Sequence, residues 1–179
     1  MNRILILGGG VGGTLTANLL IKKLRHRVKA GEVTITVVDQ TGLHTYQPGF
    51  MYIAMGGERA ERLQRQERGL LDPRVTLVVG QIERVDEPSR TVHLSDGQRL
   101  AYDYLVLATG SRIVPEAIEH FDTEAHHFYS AEAALELRHA LDAFSGGRIV
   151  IGTLGLDQHE VGAMAVAQLL TRNGFEVIY

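Results

Sequence analysis

The chain has 179 residues, which is enough for one domain or slightly more than one. Its formal net charge of −3 excludes the basic surface typical of nucleic-acid binding, and the absence of cysteine excludes disulfides and thiolate chemistry from these residues. No apolar run approaches the roughly 18 residues needed to span a membrane, and the short amino-terminal run is unlike a signal peptide. We therefore expect a globular, cytoplasmic chain with no nucleic-acid partner and no membrane span.

Apolar and β-branched runs predict the strands, and apolar residues at helical spacing predict the helices. The predicted strands, in chain order, are residues 3–7, 33–38, 75–80, 82–85, 91–94, 99–102, 103–107, 148–151 and 175–179. The predicted helices begin after residue 13, run over 131–144 behind a Ser130 cap, and begin again near 161. Three segments have no clear period. Residues 40–57 are expected to form a loop or short helix, residues 58–68 a solvated helix or coil, and residues 112–129 a loop.

The order of these elements defines a fold class. Strand–helix–strand units open and close the chain, and the short strands between them indicate an antiparallel meander over about 81–102. We predict an α/β fold: a Rossmann-like parallel sheet with helices on both faces and a small antiparallel β-meander, closed by a C-terminal βαβ unit. The predicted boundary separates residues 1–147 from residues 148–179, which are expected to complete the same sheet.

A glycine-rich turn joins the first predicted strand to the first helix. Gly8, Gly10 and Gly13 have the dinucleotide-binding spacing, in which the three glycines permit a tight turn, close approach of a pyrophosphate, and close packing of helix on strand. Val11 and Gly12 complete the turn, where a helix amino terminus offers free N–H groups and a partial positive charge to phosphates. The alternative is a glycine turn that holds no ligand.

Asp39 ends the second predicted strand and is the candidate for binding a ribose. It lies 26 residues after Gly13, against the ~20 that are usual, and residues 25–31 are expected to absorb the difference. A carboxylate at the carboxyl end of a strand can accept both ribose hydroxyls, which favours a dinucleotide without a 2′-phosphate. The alternative is an aspartate that only caps the strand.

Several stretches are together similar to one family of flavoproteins. They are ILILGGGVGG, TITVVD, HTYQPGFMYIAMG, YDYLVLATGSR and GGRIVIG, within residues 1 to about 152. They resemble the FAD domain of flavoproteins of the pyridine nucleotide-disulfide oxidoreductase type, in the branch of sulfide:quinone oxidoreductase and NADH dehydrogenase. The cofactor contacts that this resemblance implies are Gln47 and Pro48 beside the isoalloxazine, the backbone near Ile82 beside the adenine, and Ala108, Thr109 and Gly110 as a second flavin signature. For Gly110 the alternative is a plain turn.

The chain also departs from that family. Family members are roughly twice as long, since they carry two dinucleotide domains of ~150 residues each, and the second domain and a late Gly-Asp motif are missing here. The cysteines that carry sulfur in the family are absent, which excludes sulfide oxidation by these residues. We therefore expect an FAD-binding domain of a truncated or chimeric flavoprotein without turnover. The alternative is a fragment of a sulfide:quinone or NADH:quinone oxidoreductase.

The last segment, about 148–179, is similar to a different family. GLDQHEVG followed by AMAVAQLLTRNGFEVIY resembles the start of a cobalamin-binding domain of the methylmalonyl-CoA mutase type. The resemblance implies that His159 is the axial cobalt ligand, that Asp157 hydrogen bonds the other ring nitrogen, and that Gly162 allows close approach of the nucleotide tail. The alternative is a capped helix start without a ligand.

The two resemblances together indicate a chimera, which we interpret as engineered. FAD is the expected cofactor, and a corrinoid-binding module is a further alternative with cobalamin as its ligand. No residue set predicts a catalytic centre or a metal site. The expected partner is a dinucleotide ligand, and an unpaired sheet edge favours a homodimer.

Overall fold

The computed structural model of the chain describes residues 1–143, 148–151, 160–172 and 174–178. Its strands are β1 (Asn2–Leu7), β2 (Val33–Asp39), β3 (Leu43–Thr45), β4 (Gln64–Gln66), β5 (Thr76–Val79), β6 (Ile82–Asp86), β7 (Thr91–Leu94), β8 (Arg99–Ala101), β9 (Tyr104–Leu107), β10 (Arg148–Val150) and β11 (Glu176–Ile178). Its α-helices are α1 (Val11–Lys29), α2 (Phe50–Ala54), α3 (Phe121–Glu124), α4 (Ala131–Ala143) and α5 (Glu160–Arg172). The chain divides into two compact units, the first comprising residues 1–45 and 64–112 and the second comprising residues 46–63 and 113–179.

The first unit is built on a four-stranded parallel sheet with the order β5-β2-β1-β9. Strand β1 lies inside this sheet, with parallel neighbours on both sides, because its residues are apolar at every position from Ile4 to Leu7. The opening strand is therefore an interior strand of the sheet. The predicted parallel α/β sheet is confirmed with it.

The two faces of this sheet bury different partners. Ile6 and its neighbours in β2 pack against Ala17 and Ile21 of α1. Leu5 and Leu7 point to the opposite face, since successive side chains of a strand alternate, and pack against β7 of the meander. Within this unit the meander β6-β7-β8 supplies the packing partners of the second face.

The segment between β2 and β5 differs most from the prediction. Residues 40–57 contain β3, a 3-10 helix over Gln47–Gly49 and α2. The charge-rich residues 58–68 form 3-10 turns around strand β4, which pairs antiparallel with β3. These pieces are three to five residues long, which is too short for a periodic pattern to be visible in the sequence.

The second unit contains a small helical core. Phe50, Ile53 and Ala54 of α2 pack against Ala134 of α4. The amide of Ala133 donates a hydrogen bond to Ser130 Oγ at 3.1 Å, so the predicted cap of α4 is confirmed. The predicted loop over 112–129 contains α3 and a 3-10 turn over Pro115–Ala117, which were not predicted.

The carboxyl-terminal strands β10 and β11 pair with each other in parallel, and α5 connects them in sequence. The predicted βαβ unit is confirmed in these elements. These two strands form a two-stranded sheet, and their predicted role in completing the four-stranded sheet stays a prediction. The predicted boundary at residue 147 stays a prediction. In the described part of the chain, no helix has the length and apolar character that crossing a membrane requires.

Candidate functional site

The turn that follows β1 has a backbone that only glycine accommodates at two positions. Gly8 has a φ of +103°, and a Cβ there would overlap the carbonyl group of Ala108. A Cβ at Gly13 would overlap the carbonyl oxygen of Gly8, so the first turn of α1 lies directly on the end of the strand. The roles predicted for these two glycines, a tight turn and close helix packing, correspond to this geometry.

Gly10 is different, because the space beside it is open. A Cβ on Gly10 would meet no atom within 4 Å. Gly10 is the N-cap residue of α1 and offers no side-chain cap to the helix. The N–H groups of Val11, Gly12 and Gly13 open the helix, where amides have no partner within the helix. An uncapped amino terminus facing open space fits an anionic diphosphate, since the amides and the helix dipole both favour negative charge there.

Asp39 lies at the end of β2 and is bound to the turn by hydrogen bonds. Its Oδ2 accepts the N–H of Gly9 at 2.9 Å. Its Oδ1 accepts the N–H groups of Thr41 at 2.9 Å and of Gly42 at 2.8 Å, and the Thr41 hydroxyl lies at 3.2 Å. The carboxylate therefore organises two backbone turns besides being a candidate ligand for ribose.

These hydrogen bonds keep the carboxylate charged. Partial burial acts to raise the pKa of Asp39, but the backbone hydrogen bonds outweigh burial, and the pKa lies below its ordinary value of 3.8. An ionised carboxylate has about four lone-pair positions. Three hydrogen bonds end on Oδ1 and one on Oδ2, so Oδ2 retains acceptor capacity.

Further predicted residues lie at the same edge of the sheet. The N–H of Ala108 donates to the carbonyl of Leu7 at 2.8 Å, and the N–H of Gly80 donates to the carbonyl of Asp39 at 2.9 Å. Ala108 thereby lies against the glycine turn, and its role in a second flavin signature stays a prediction. Thr109 and Gly110 follow it, and Gly110 has a φ of +75°. Ile82 begins β6 just after this edge, and its side chain packs into the core on the meander face.

The remaining predicted residues belong to the second unit or fall outside the described residues. Gln47 and Pro48 are exposed in the second unit, in the 3-10 helix that precedes α2. Asp157 and His159 lie outside the described residues. Gly162 lies within α5. The predicted roles of all five stay predictions.

A buried polar cluster behind the glycine turn was not predicted. Glu67 is 0% exposed, and its Oε1 lies 2.5 Å from the hydroxyl of Thr14. Its Oε2 lies 3.0 Å from Nδ1 of His44. Both partners also reach one acceptor, the carbonyl oxygen of Gly9, at 2.8 Å from Thr14 Oγ1 and 3.1 Å from His44 Nδ1. We call Thr14, His44 and Glu67 the buried triad, in which Thr14 and Glu67 are buried and the His44 side chain is 17% exposed.

The sequence gives little indication of this cluster. Glu67 lies in a charge-rich run that predicts a solvated segment, and His44 has no other histidine or acid at ligand spacing. Thr14 and Glu67 are 53 residues apart, and only the pairing of β3 with β4 brings Glu67 under the turn. The one local signal is a hydroxyl residue directly after the third glycine of the motif.

These features define a dinucleotide-binding Rossmann-like domain: a strand, a glycine turn and a helix at the centre of a parallel sheet, with an acid at the end of the next strand. A family model described as pyridine nucleotide-disulphide oxidoreductase matches residues 2–155. The chain belongs to this family, whose members bind FAD.

Two relatives indicate the branch of the family. Sulfide-quinone reductase of Aquifex aeolicus (strain VF5) is 30% identical over 154 residues, which are 84% of this chain and 34% of that protein. Type II NADH:quinone oxidoreductase NdhA of Mycobacterium tuberculosis (strain ATCC 25618 / H37Rv) is 29% identical over 160 residues, covering 83% of this chain and 31% of that protein. The chain thus spans about a third of the length of these relatives.

Solved structures agree on the fold. The sulfide:quinone oxidoreductase from Aquifex aeolicus superposes with a TM-score of 0.78 at 24% identity, over 99% of this chain and 42% of that chain. A ferredoxin reductase from Rhodopseudomonas palustris gives a TM-score of 0.66 at 20% identity, over 99% of this chain and 42% of that chain. The predicted resemblance to the FAD domain of sulfide:quinone oxidoreductase-like flavoproteins is therefore confirmed. The cobalamin resemblance and the chimeric origin stay predictions.

Proposed function

We propose that this chain holds FAD with the diphosphate over the glycine turn and the adenosine ribose at Asp39. The observation that carries the proposal is the open, uncapped helix amino terminus at Gly10. In the same turn, Gly8 and Gly13 are closely packed, whereas the backbone is open to a ligand on the Gly10 side. A diphosphate fits this position because α1 directs unpartnered amides and the positive end of its dipole toward it.

Fewer acceptor positions of Asp39 are available to the ribose than the sequence predicts. Because Oδ1 of Asp39 already receives hydrogen bonds from Thr41 and Gly42, the acceptor capacity that remains lies on Oδ2. We propose that Oδ2 accepts one ribose hydroxyl beside the N–H of Gly9. A 2′-phosphate would bring a second negative charge against this ionised carboxylate, which favours ligands with free ribose hydroxyls.

The family branch supports a reaction class for the whole protein. Relatives named as sulfide-quinone reductase and as NADH:quinone oxidoreductase align over more than four-fifths of this chain. We propose that the whole protein is a quinone oxidoreductase, in which bound flavin supplies the two-electron chemistry. This chain's own residues bind and orient the cofactor through the turn amides and Asp39.

The test of cofactor binding is a calorimetric titration of the unliganded chain with FAD, ADP and FMN. The proposal expects saturable 1:1 binding of FAD, competition by ADP, and much weaker binding of FMN, because FMN lacks the adenosine diphosphate half that the turn would bind. The absence of any FAD binding would contradict it. Binding of FMN as tight as that of FAD would contradict the assignment of the turn to the diphosphate.

A further inference from the structure

The buried triad lies behind the surface that the cofactor would occupy. Glu67 is the one charged residue that is buried among the described residues, and enclosing a carboxyl group costs free energy unless it is hydrogen bonded. Both of its oxygens have partners, Thr14 and His44. A buried acid with two arranged partners at this place requires an explanation beyond packing.

The partners of Glu67 converge on a single peptide group. The carbonyl oxygen of Gly9 lies within hydrogen-bond distance of Thr14 Oγ1 and of His44 Nδ1. The N–H of the same residue donates to Asp39. Side chains from three elements therefore fix both polar groups of the Gly9 residue. Its orientation sets the direction of the amides that follow it in the turn.

Hydrogen counting shows why Glu67 matters to this arrangement. The Thr14 hydroxyl carries one hydrogen, and His44 Nδ1 lies between two oxygen acceptors, which favours the tautomer with a hydrogen on Nδ1. Two hydrogens thus face three acceptor oxygens, so each hydrogen is shared between Glu67 and the Gly9 carbonyl. Glu67 holds both donor side chains in place above Gly9, because each donor lies between its carboxyl group and that carbonyl. Its own backbone N–H donates to the carbonyl of Gly42 at 2.9 Å, which fixes the acid to the turn after β2.

We propose that Glu67 is a positioning residue that presets the glycine turn for the cofactor diphosphate by holding Thr14 and His44 against the Gly9 carbonyl. The inference rests on the proposed function, because it names what supports the FAD site from behind. Glu67 does not contact the ligand. It acts through the two donors, so hydrogen-bonding capacity at position 67, not its charge, is what the turn requires.

The test uses the full chain with graded substitutions. Glu67→Met keeps the volume and removes both oxygens, whereas Glu67→Gln keeps an acceptor for His44 and supplies a donor for Thr14. Thr14→Val removes the hydroxyl, whereas Thr14→Ser keeps it. Glu83→Gln alters an exposed glutamate of the same unit and serves as the matched control.

Two readouts are measured for each variant: the FAD dissociation constant, and hydrogen exchange of the Gly9 amide without ligand. We expect Glu67→Met and Thr14→Val to weaken FAD binding about tenfold, which is the scale of one lost hydrogen bond to a charged group. In both variants the amide hydrogen of Gly9 should exchange faster with solvent than in wild type. Glu67→Gln, Thr14→Ser and Glu83→Gln should remain within about twofold of wild type. If Glu67→Met does not fold, the comparison of Thr14→Val with Thr14→Ser tests the proposal.

The possible failures are distinguishable. If wild type binds FAD and neither Glu67→Met nor Thr14→Val differs from the control in affinity, the positioning role is wrong and the proposed function stands. If affinity falls while Gly9 exchange is unchanged, the effect does not pass through the turn and the inference is equally wrong. If wild type does not bind FAD, the proposed function fails, and the cofactor role of Glu67 fails with it.

Discussion

Oδ2 of Asp39 accepts the N–H of Gly9 at 2.9 Å, across 30 residues of sequence. This one hydrogen bond joins the end of β2 to the turn after β1, so the candidate ribose ligand and the candidate diphosphate site form one structure. A substitution at Asp39 should therefore affect both halves of the adenosine diphosphate site, not the ribose contact alone.

Asp39→Asn tests this connection. One end of the amide side chain would face a backbone N–H with an NH₂ group, so at least one of the turn hydrogen bonds is lost. We expect FAD and ADP-ribose to bind about tenfold more weakly, measured by calorimetry. Discrimination against 2′-phospho-ADP-ribose should shrink, because the charge that opposes the phosphate is gone.

Asp96→Asn is the matched control for Asp39, since Asp96 also accepts a backbone N–H in a turn, from Gln98 at 2.9 Å. It lies in the meander turn and should leave the affinity unchanged. Equal losses in the two variants would show that the effect is general destabilisation and would contradict a specific role of Asp39.

Neighbouring glycines of the turn should respond oppositely to alanine. A Cβ at Gly13 would overlap the carbonyl oxygen of Gly8, whereas a Cβ at Gly12 would meet only Cβ of Ala108, at 3.9 Å. Gly13→Ala should reduce the free energy of unfolding by about 1–3 kcal/mol, the scale of overpacking. Gly12→Ala should leave stability unchanged or raise it by up to ~1 kcal/mol, because alanine favours helix. Urea unfolding followed by circular dichroism measures both, and equal stabilities would contradict the close packing of α1 on β1.

The loss of folding stability at acid pH should depend on Asp103. Hydrogen bonds from the Arg3 guanidinium lower the pKa of Asp103 from 3.8 to about 2, and a hydrogen bond from the Arg3 backbone N–H contributes to the same shift. A pKa lowered by folding stabilises the native state above 3.8, and this contribution is lost as the pH falls from 3.8 to about 2. Asp103→Asn should therefore flatten the dependence of melting temperature on pH in that interval.

Asp72 provides the comparison for Asp103. Its pKa is also lowered to about 2, by hydrogen bonds from Arg74. Arg74 is only two residues away, so an unfolded chain can keep part of this contact, whereas Arg3 and Asp103 are 100 residues apart. Asp72→Asn should flatten the profile less than Asp103→Asn does, and the reverse order would contradict the assignment.

The glycine turn and Asp39 could be predicted because their signals are local. Gly8 and Gly13 are required by contacts that any strand–turn–helix unit of this type makes, and the acid stands directly at the end of a β-branched run. The binding of Asp39 to Thr41 and Gly42 could not be predicted, because it depends on how residues 40–42 turn back. Glu67 was expected to be solvated, and only non-local pairing buries it beneath Thr14.

The most direct measurement compares FAD affinities of wild type, Gly10→Ala and Gly69→Ala by calorimetry. Neither added Cβ would meet an atom of the protein within 4 Å, so both variants should fold as wild type does. If the diphosphate lies against Gly10, the methyl group occupies its space, and Gly10→Ala should bind FAD at least about tenfold more weakly while Gly69→Ala binds as wild type. Equal affinity of all three proteins, or no FAD binding by wild type, would contradict the diphosphate site at this turn.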